Sequence, residues 1–212
     1  KWTQYFLSQA EIDLLHEMRT REEVTLSGEI LDVDVGIVTG QNKFFIVTKQ
    51  QAQENQLEPH LERIVSRSAH LQGAVFSAAD WVANVEQNYP ALFFSPPEQA
   101  VDDLPVSLRA YIRLGEAQQF HTGYKCRIRP MWYVVPSVWI PDAFMLRQVH
   151  GYPKLILNNA QATCTDTIHR VRFINGVPPK VAVCAFLNSL TFAFSEVTGR
   201  SYGGGVLTFE PS

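Results

Sequence analysis

The chain has 212 residues, enough for one large domain or two small ones. Its 46% apolar and 18% charged residues describe a packed core, and no apolar run approaches the ~20 residues of a membrane span. A net charge of −3 and a sequence pI near 6.1 exclude a uniformly basic coat, and three cysteines with no CxxC pair or companion His exclude a disulfide framework and a zinc site. That cysteine usage fits a reducing, cytoplasmic compartment. The start, Lys1-Trp2-Thr3-Gln4, carries no charged leader or apolar h-region and begins in mid-pattern, so the chain reads as a piece of a longer polypeptide.

Ser8-Gln9-Ala10-Glu11 is a capping box, with an apolar stripe at Ile12, Leu14, Leu15 and Met18 behind it, and predicts a helix from Gln9 to Arg19. Glu29 to Val35 alternates and reads as a strand. Gly36 and Gly40 break it, and Phe44 to Thr48 reads as the return strand of a hairpin. Thr48-Lys49-Gln50-Gln51 and Ser77-Ala78-Ala79-Asp80 open two more helices, the second running to about Gln87. Leu92 to Phe94 is a short buried strand, and Val106 to about Gln119 suits a helix. Tyr124 to Arg129, Tyr133 to Val138, Phe144 to Val149, Lys154 to Leu157 and Ile168 to Ile174 read as strands, although Phe144 to Val149 also suits a helical turn. Val181 to Val197 reads as one helix with Gly199 at C′, and Val206 to Phe209 as a last strand. Many short strands with peripheral helices and a C-terminal helix make a mixed α+β domain. It is taken as one unit over residues 1–212, with a possible division at residue 120.

Charge is unevenly distributed. Residues 1–120 hold nine Lys/Arg against seventeen Asp/Glu, whereas residues 121–172 hold seven against two. A basic segment inside an acidic chain points to a localised anionic ligand. Read as a strand, Lys125, Arg127 and Arg129 share one face, with Trp132 close by as a stacking ring. Thr163, Thr165, Thr167, His169, Arg170 and Arg172 add hydroxyls, a ring and two guanidiniums. The glycine-flanked loop carrying Thr39, Gly40, Asn42 and Lys43 can touch a phosphate or base edge, or be an ordinary hairpin turn. At Gly199-Arg200-Ser201-Tyr202-Gly203-Gly204-Gly205, three glycines let the backbone approach a ligand while Arg200 pairs and Tyr202 stacks. That loop follows a helix and precedes a strand, the reverse of a Rossmann or P-loop site.

Catalytic constellations do not assemble. There is no Gly-x-Ser-x-Gly elbow and no HExxH pair. Cys126 between Lys125 and Arg127 reads as a small buried residue before a nucleophile. Two rivals stay open: a metal-dependent nuclease using Asp142, Asp166 and Lys125, and a docking module whose basic face meets an acidic partner.

Several blocks in order resemble a known family. They are Lys1 to Leu7, Asp34-Val35-Gly36-Ile37-Val38-Thr39-Gly40 with Asn42 and Phe44-Phe45, and Tyr124-Lys125-Cys126-Arg127-Ile128-Arg129. Pro153-Lys154-Leu155 with Leu157-Asn158, Thr167 to Arg172, and Gly199 to Leu207 complete the set. Over nearly its whole length the chain resembles the region after the catalytic domain in gamma-class N6-adenine DNA methyltransferases. The resemblance implies a β-rich, partly β-helical or barrel-like target recognition domain, related to type I specificity modules. It implies double-stranded DNA as partner, no methyl donor in this chain, and S-adenosylmethionine with the Asn-Pro-Pro-Tyr motif in an upstream domain. Lys125, Arg127, Arg129, Arg170 and Arg172 become candidate phosphate contacts; Thr39, Asn42, Lys43, Thr163, Thr165, Thr167 and Arg200 become base-edge or positioning candidates.

Overall fold

The computed structural model describes residues 5–150, 152–201 and 206–209. Helix α1 (Gln9–Thr20) starts at Ser8, whose Oγ accepts from Glu11 N while its own N–H donates to Glu11 Oε2 at 2.7 Å. A helical turn α2 (Ser27–Ile30) leads into strand β1 (Leu31–Val35). Another turn, α3 (Asn42–Phe45), precedes β2 (Ile46–Val47) and α4 (Lys49–Glu54). The chain continues through β3 (Leu61–Val65), β4 (Val75–Phe76), α5 (Ala78–Glu86), β5 (Leu92–Phe94), α6 (Val106–Ala117) and α7 (Tyr124–Arg127). Strands β6 (Ala143–Leu146), β7 (Gln148–His150), β8 (Leu155–Asn158), β9 (Thr163–Cys164) and β10 (Ile168–Phe173) follow. Helices α8 (Pro179–Ala185) and α9 (Ser189–Thr198) and strands β11 (Arg200–Ser201) and β12 (Val206–Thr208) end the described chain. Helices α4 and α5, like α1, begin in complete capping boxes, at Thr48 and Ser77.

The strands form three sheets, two mixed, ordered β1-β10-β6-β8-β4 and β2-β5-β3-β9, and one antiparallel, ordered β11-β12-β7. Each order is linear, so among the described residues no sheet closes into the expected barrel. Pairs β3–β9 and β4–β8 are parallel and the rest antiparallel.

The largest core cluster gathers around Phe44. Its ring lies 4.7 Å from Tyr111 and from Trp132, 4.9 Å from Phe45 and 5.6 Å from Phe94. Tyr111 Oη donates to the Phe44 carbonyl at 2.8 Å, and burial pushes its phenol up to about 12. Gly115 on α6 makes room, because a Cβ there would fall 2.6 Å from the Phe44 ring and 2.7 Å from Trp132. Two smaller clusters fill the other half, one around Phe76, Phe144 and Ile168, the other around Leu31, Leu155 and Val171. Buried Asn158 organises the turn after β8. Its Nδ2 donates to the Pro141 and Ala162 carbonyls and its Oδ1 accepts from Ala162 N.

Several expectations are corrected. Residues 44–48 are not the return strand of a hairpin: Phe44 and Phe45 sit in a helical turn, and β1 pairs with β10 instead. Residues 124–127 are helical, because only Cys126 enters the core while Ile128 stays 58% exposed, so no second apolar position anchors a strand there. Residues 133–138 hold no strand. The single helix over 181–197 is two, broken where Asn188 Oδ1 caps α9 by accepting from Thr191 N at 2.8 Å. Gly199 ends α9 in extended backbone, not in the left-handed conformation.

Truncating the ring at the centre of the largest cluster creates a cavity. Phe44→Ala is expected to cost about 3–5 kcal/mol in urea unfolding, with the slope unchanged. Tyr111→Phe loses only one hydrogen bond and should cost about 1 kcal/mol.

Candidate nucleic-acid interface

Beyond β1 the chain touches the backbone of residues 165–168. A Cβ on Gly36 would lie 2.1 Å from the Thr165 carbonyl oxygen and 2.6 Å from that of Ile168. Gly36 N donates to Ile168 O at 3.0 Å and Ile37 N to Cys164 O at 2.8 Å. The loop that follows packs on α7. Gly40, at φ +77°, passes so close that a Cβ would sit 2.6 Å from Lys125 Cβ. Arg129 Nη2 donates to Val38 O at 2.7 Å, and its guanidinium lies 5.7 Å from the centre of the Phe45 ring. Burial lowers the Arg129 pKa and raises that of the adjacent Cys126 thiol, which is fully buried. Within the loop, Thr39 Oγ1 donates to Asn42 Oδ1 at 2.5 Å and accepts from Gln41 N at 3.1 Å. The close approach that Gly40 permits is therefore intramolecular.

This packing leaves Lys43, Lys125 and Arg127 exposed around the loop. A fourth cation joins them from the acidic half of the chain. Arg67, also exposed, lines a cleft of about 460 Å³ together with Asn42, Lys43, Gln51, Gln118 and Phe120. Among the described residues, none of Lys43, Arg67, Lys125 and Arg127 takes part in an ion pair. Thr165 connects the basic segment to this cleft: its Oγ1 donates to Ser66 O at 3.1 Å and lies 3.0 Å from the hydroxyl of exposed Thr167. Sequence reasoning missed Arg67 because it stands alone among hydroxyls in Ser66-Arg67-Ser68, inside the half with excess acid.

Other residues singled out from the sequence belong to the scaffold. Arg170 is 4% exposed, and every arm of its guanidinium is taken: Nε donates to Val35 O at 2.9 Å, Nη1 to Ser137 O at 2.7 Å and Nη2 to Asp34 Oδ2 at 2.8 Å. Its phosphate-contact assignment is therefore corrected. Arg172 stays exposed, 4.0 Å from the Trp139 ring centre, with Arg170 at 4.4 Å from the same ring. In register, Asp32 stands opposite Arg172 and Asp34 opposite Arg170, so β1 returns negative charge to this part of the basic segment. Thr39, Thr163, Thr165 and His169 are all at most 2% exposed, which removes them from direct contact with a duplex. His169 Nε2 lies 2.7 Å from Phe209 O and joins the first sheet to the third. Trp132 packs on Phe44 and donates from Nε1 to Glu116 Oε1 at 3.2 Å, so it is a core ring and not a stacking platform. The backbone of Arg200 and Ser201 forms β11, opposite Thr208 and Leu207, while their side chains and Tyr202, Gly203, Gly204 and Gly205 lie outside the described residues. Asp142 accepts from Phe173 N at 3.0 Å at the start of β6, and among the described residues no three His, Cys, Asp or Glu side chains converge on a common point.

The sequence profile of the type II methyltransferase M.Eco57I C-terminal domain matches residues 1–212. The chain belongs to that family. Its fold resembles part of the crystal structure of the type IIG restriction endonuclease BpuSI, with a TM-score of 0.53 and 12% identity over 99% of this chain. This family member spans about a quarter of the length of that enzyme, 25% of its chain. A comparison with curated proteins gives no match. Among the described residues no single helix is long and apolar enough to cross a membrane, although α8 and most of α9, bent by 63°, meet the length and composition test as a pair.

His70, whose Nδ1 lies 3.5 Å from the hydroxyl of the cleft residue Ser66, is 6% exposed and stacked on Tyr89 at 4.9 Å. Burial first, and the charge of Arg67 second, depress its pKa below the ordinary 6.5. A depressed folded-state value means that the unfolded chain takes up the proton first. Stability contributed by neutral His70 is therefore full above pH 6.5 and is lost as pH falls through the lower folded value. Urea midpoints between pH 7.5 and 5.5 should fall for the native chain and fall less for His70→Gln. Equal slopes would remove His70 as the cause.

Proposed function

We propose that this chain is the DNA target recognition domain of an N6-adenine-specific restriction–modification methyltransferase. The full-length match to a type II methyltransferase C-terminal domain carries the reading. The likeness in fold to one quarter of a type IIG restriction endonuclease supports it, because it leaves room for catalytic parts elsewhere in such a polypeptide. In this reading the partner is double-stranded DNA in the cytoplasm. S-adenosylmethionine and the methyl transfer belong to a methyltransferase domain of the same chain, and the residues described above bind and orient the duplex. In this reading the mixed α+β body serves as the specificity module.

The chemistry of the surface favours the same partner. Four exposed cations, Lys43, Arg67, Lys125 and Arg127, carry no carboxylate partner among the described residues, so their charge is available to phosphates. Exposed Asn42 and Thr167 stand among them as hydrogen-bonding groups able to meet base edges. The overall charge of −3 keeps the rest of the surface from holding DNA without orientation.

The chain should bind duplex DNA with an affinity that falls steeply between 50 and 200 mM salt. Each lost phosphate contact should reduce the slope of log K against log salt by roughly 0.9. Arg127→Ala is expected to lower the slope by about one such unit without altering thermal stability. Combining Lys43→Ala, Arg67→Ala, Lys125→Ala and Arg127→Ala should lower it by about three to four units. Arg21→Ala, whose side chain pairs with Glu17 on α1, serves as the neutral control. An unchanged slope in the fourfold variant would exclude this surface as the DNA contact.

A further inference from the structure

The cleft beside Arg67 differs in shape from the rest of the cationic surface. Base edges of a duplex lie at the bottom of a groove, so a protein reaches them with a projecting element. A recess suits the opposite case, a ligand that projects toward the protein. At about 460 Å³ it falls in the size range of small-molecule sites.

Its walls carry two cations, Lys43 and Arg67, and no carboxylate, which suits a phosphate. The Phe120 ring supplies an apolar wall of the kind on which a base stacks. The amides on the rim are already polarised by local structure. Asn42 Oδ1 accepts from Thr39 Oγ1, and Gln51 Oε1 accepts from Thr48 N at 2.9 Å in the capping box of α4. Each oxygen thus has one lone pair engaged, and among the described residues neither amide's NH2 makes a hydrogen bond. That side of the cleft is therefore rich in donors, with two cations and two amide NH2 groups. Such a lining matches a base edge made of acceptors, as in guanine O6 and N7, and opposes adenine and cytosine, whose exocyclic amino groups also donate. Gln118, exposed just past the end of α6 and engaged in no side-chain hydrogen bond among the described residues, keeps a carbonyl for the donors on guanine's other edge.

We infer that this cleft binds a guanine nucleotide, with its phosphate held by Lys43 and Arg67 and its base met by Asn42, Gln51 and Gln118 against Phe120. The inference rests on reading the chain as a DNA recognition domain and specifies what one site on that surface holds. The nucleotide comes either from DNA, unstacked from its duplex, or from the free pool.

The test titrates the isotopically labelled 212-residue chain with dGMP, dAMP and inorganic phosphate, following backbone resonances. Perturbations centred on residues 42–43, 67 and 118–120 are expected, with dGMP at least about fivefold tighter than dAMP and tighter than phosphate alone. Arg67→Ala and Gln118→Ala change exposed side chains and should each weaken dGMP at least about fivefold with unchanged circular dichroism. A duplex with one unpaired guanosine is compared with its fully paired counterpart. Tighter binding of the first, lost in Gln118→Ala, assigns the ligand to displaced DNA; equal binding of the two, with dGMP affinity retained, assigns it to free nucleotide. If dGMP binds no better than dAMP or phosphate, or perturbs residues away from the cleft, the inference is overturned. Salt-dependent binding of the paired duplex would survive that result, so the proposed function stands or falls separately.

Discussion

The backbone crossing at Gly36 positions both halves of the candidate interface. Any side chain there would enter the Thr165 carbonyl group, so the approach requires glycine. Around the crossing, Thr165 N donates to Val65 O and Asp166 N to Ile37 O, which ties β1, β3 and the segment before β10 into one node. The loop bearing Lys43 leaves this node in one direction and packs on α7. On the other side, Ser66 and Arg67 follow β3 directly. The spacing of the cations is thus set by main-chain hydrogen bonds and not by the long side chains themselves, which suits a surface that must present charges at fixed positions.

Electrostatics divides the basic segment into two parts. Arg170 and Arg172 project from β10 beside the acidic strand β1, and Arg170 is buried with three acceptors and the Trp139 ring around it. A guanidinium buried in this way is tolerated because all its arms are satisfied, and removal of Asp34 would leave it with an unmatched charge. Lys125 and Arg127 stand on a helical turn whose one buried side chain is Cys126, and their charge stays in solvent. Arg129 is intermediate, half in the loop contact and half in water.

Helix starts were legible wherever a side chain announces them. Ser8, Thr48 and Ser77 each cap a helix because the capping box is a local interaction between residues three apart. Strands β5 and β10 were legible from apolar content and alternation. The strand assigned to Lys125–Arg129 failed because alternating charges imitate a two-residue period, whereas a single helical turn is too short to show its own. The face of Arg170 was hidden for another reason: Trp139, thirty-one residues earlier in the sequence, folds over it, and no local pattern reports that. The helix over 181–197 was read as continuous since its composition is mainly apolar, and the cap at Asn188 gave a local sign of the break. Arg67 was lost to averaging, its charge submerged in the surplus of acids around it. The family blocks lay on both kinds of residue, for Gly36 and Arg170 are structural while Lys125 and Arg127 face solvent.

The pairing of β1 with β10 has a bearing on how this chain is made. Leu31 meets Phe173, and Ile64 on β3 meets Thr163 on β9, so each early strand borders a partner roughly a hundred or more positions later. During synthesis at ~5–20 residues per second, these edges wait many seconds on the ribosome before their mates emerge. The charged pattern of β1, with Asp32 and Asp34 along one side, is a guard suited to that interval, since carboxylates discourage an unpaired strand from joining its neighbours on a polysome.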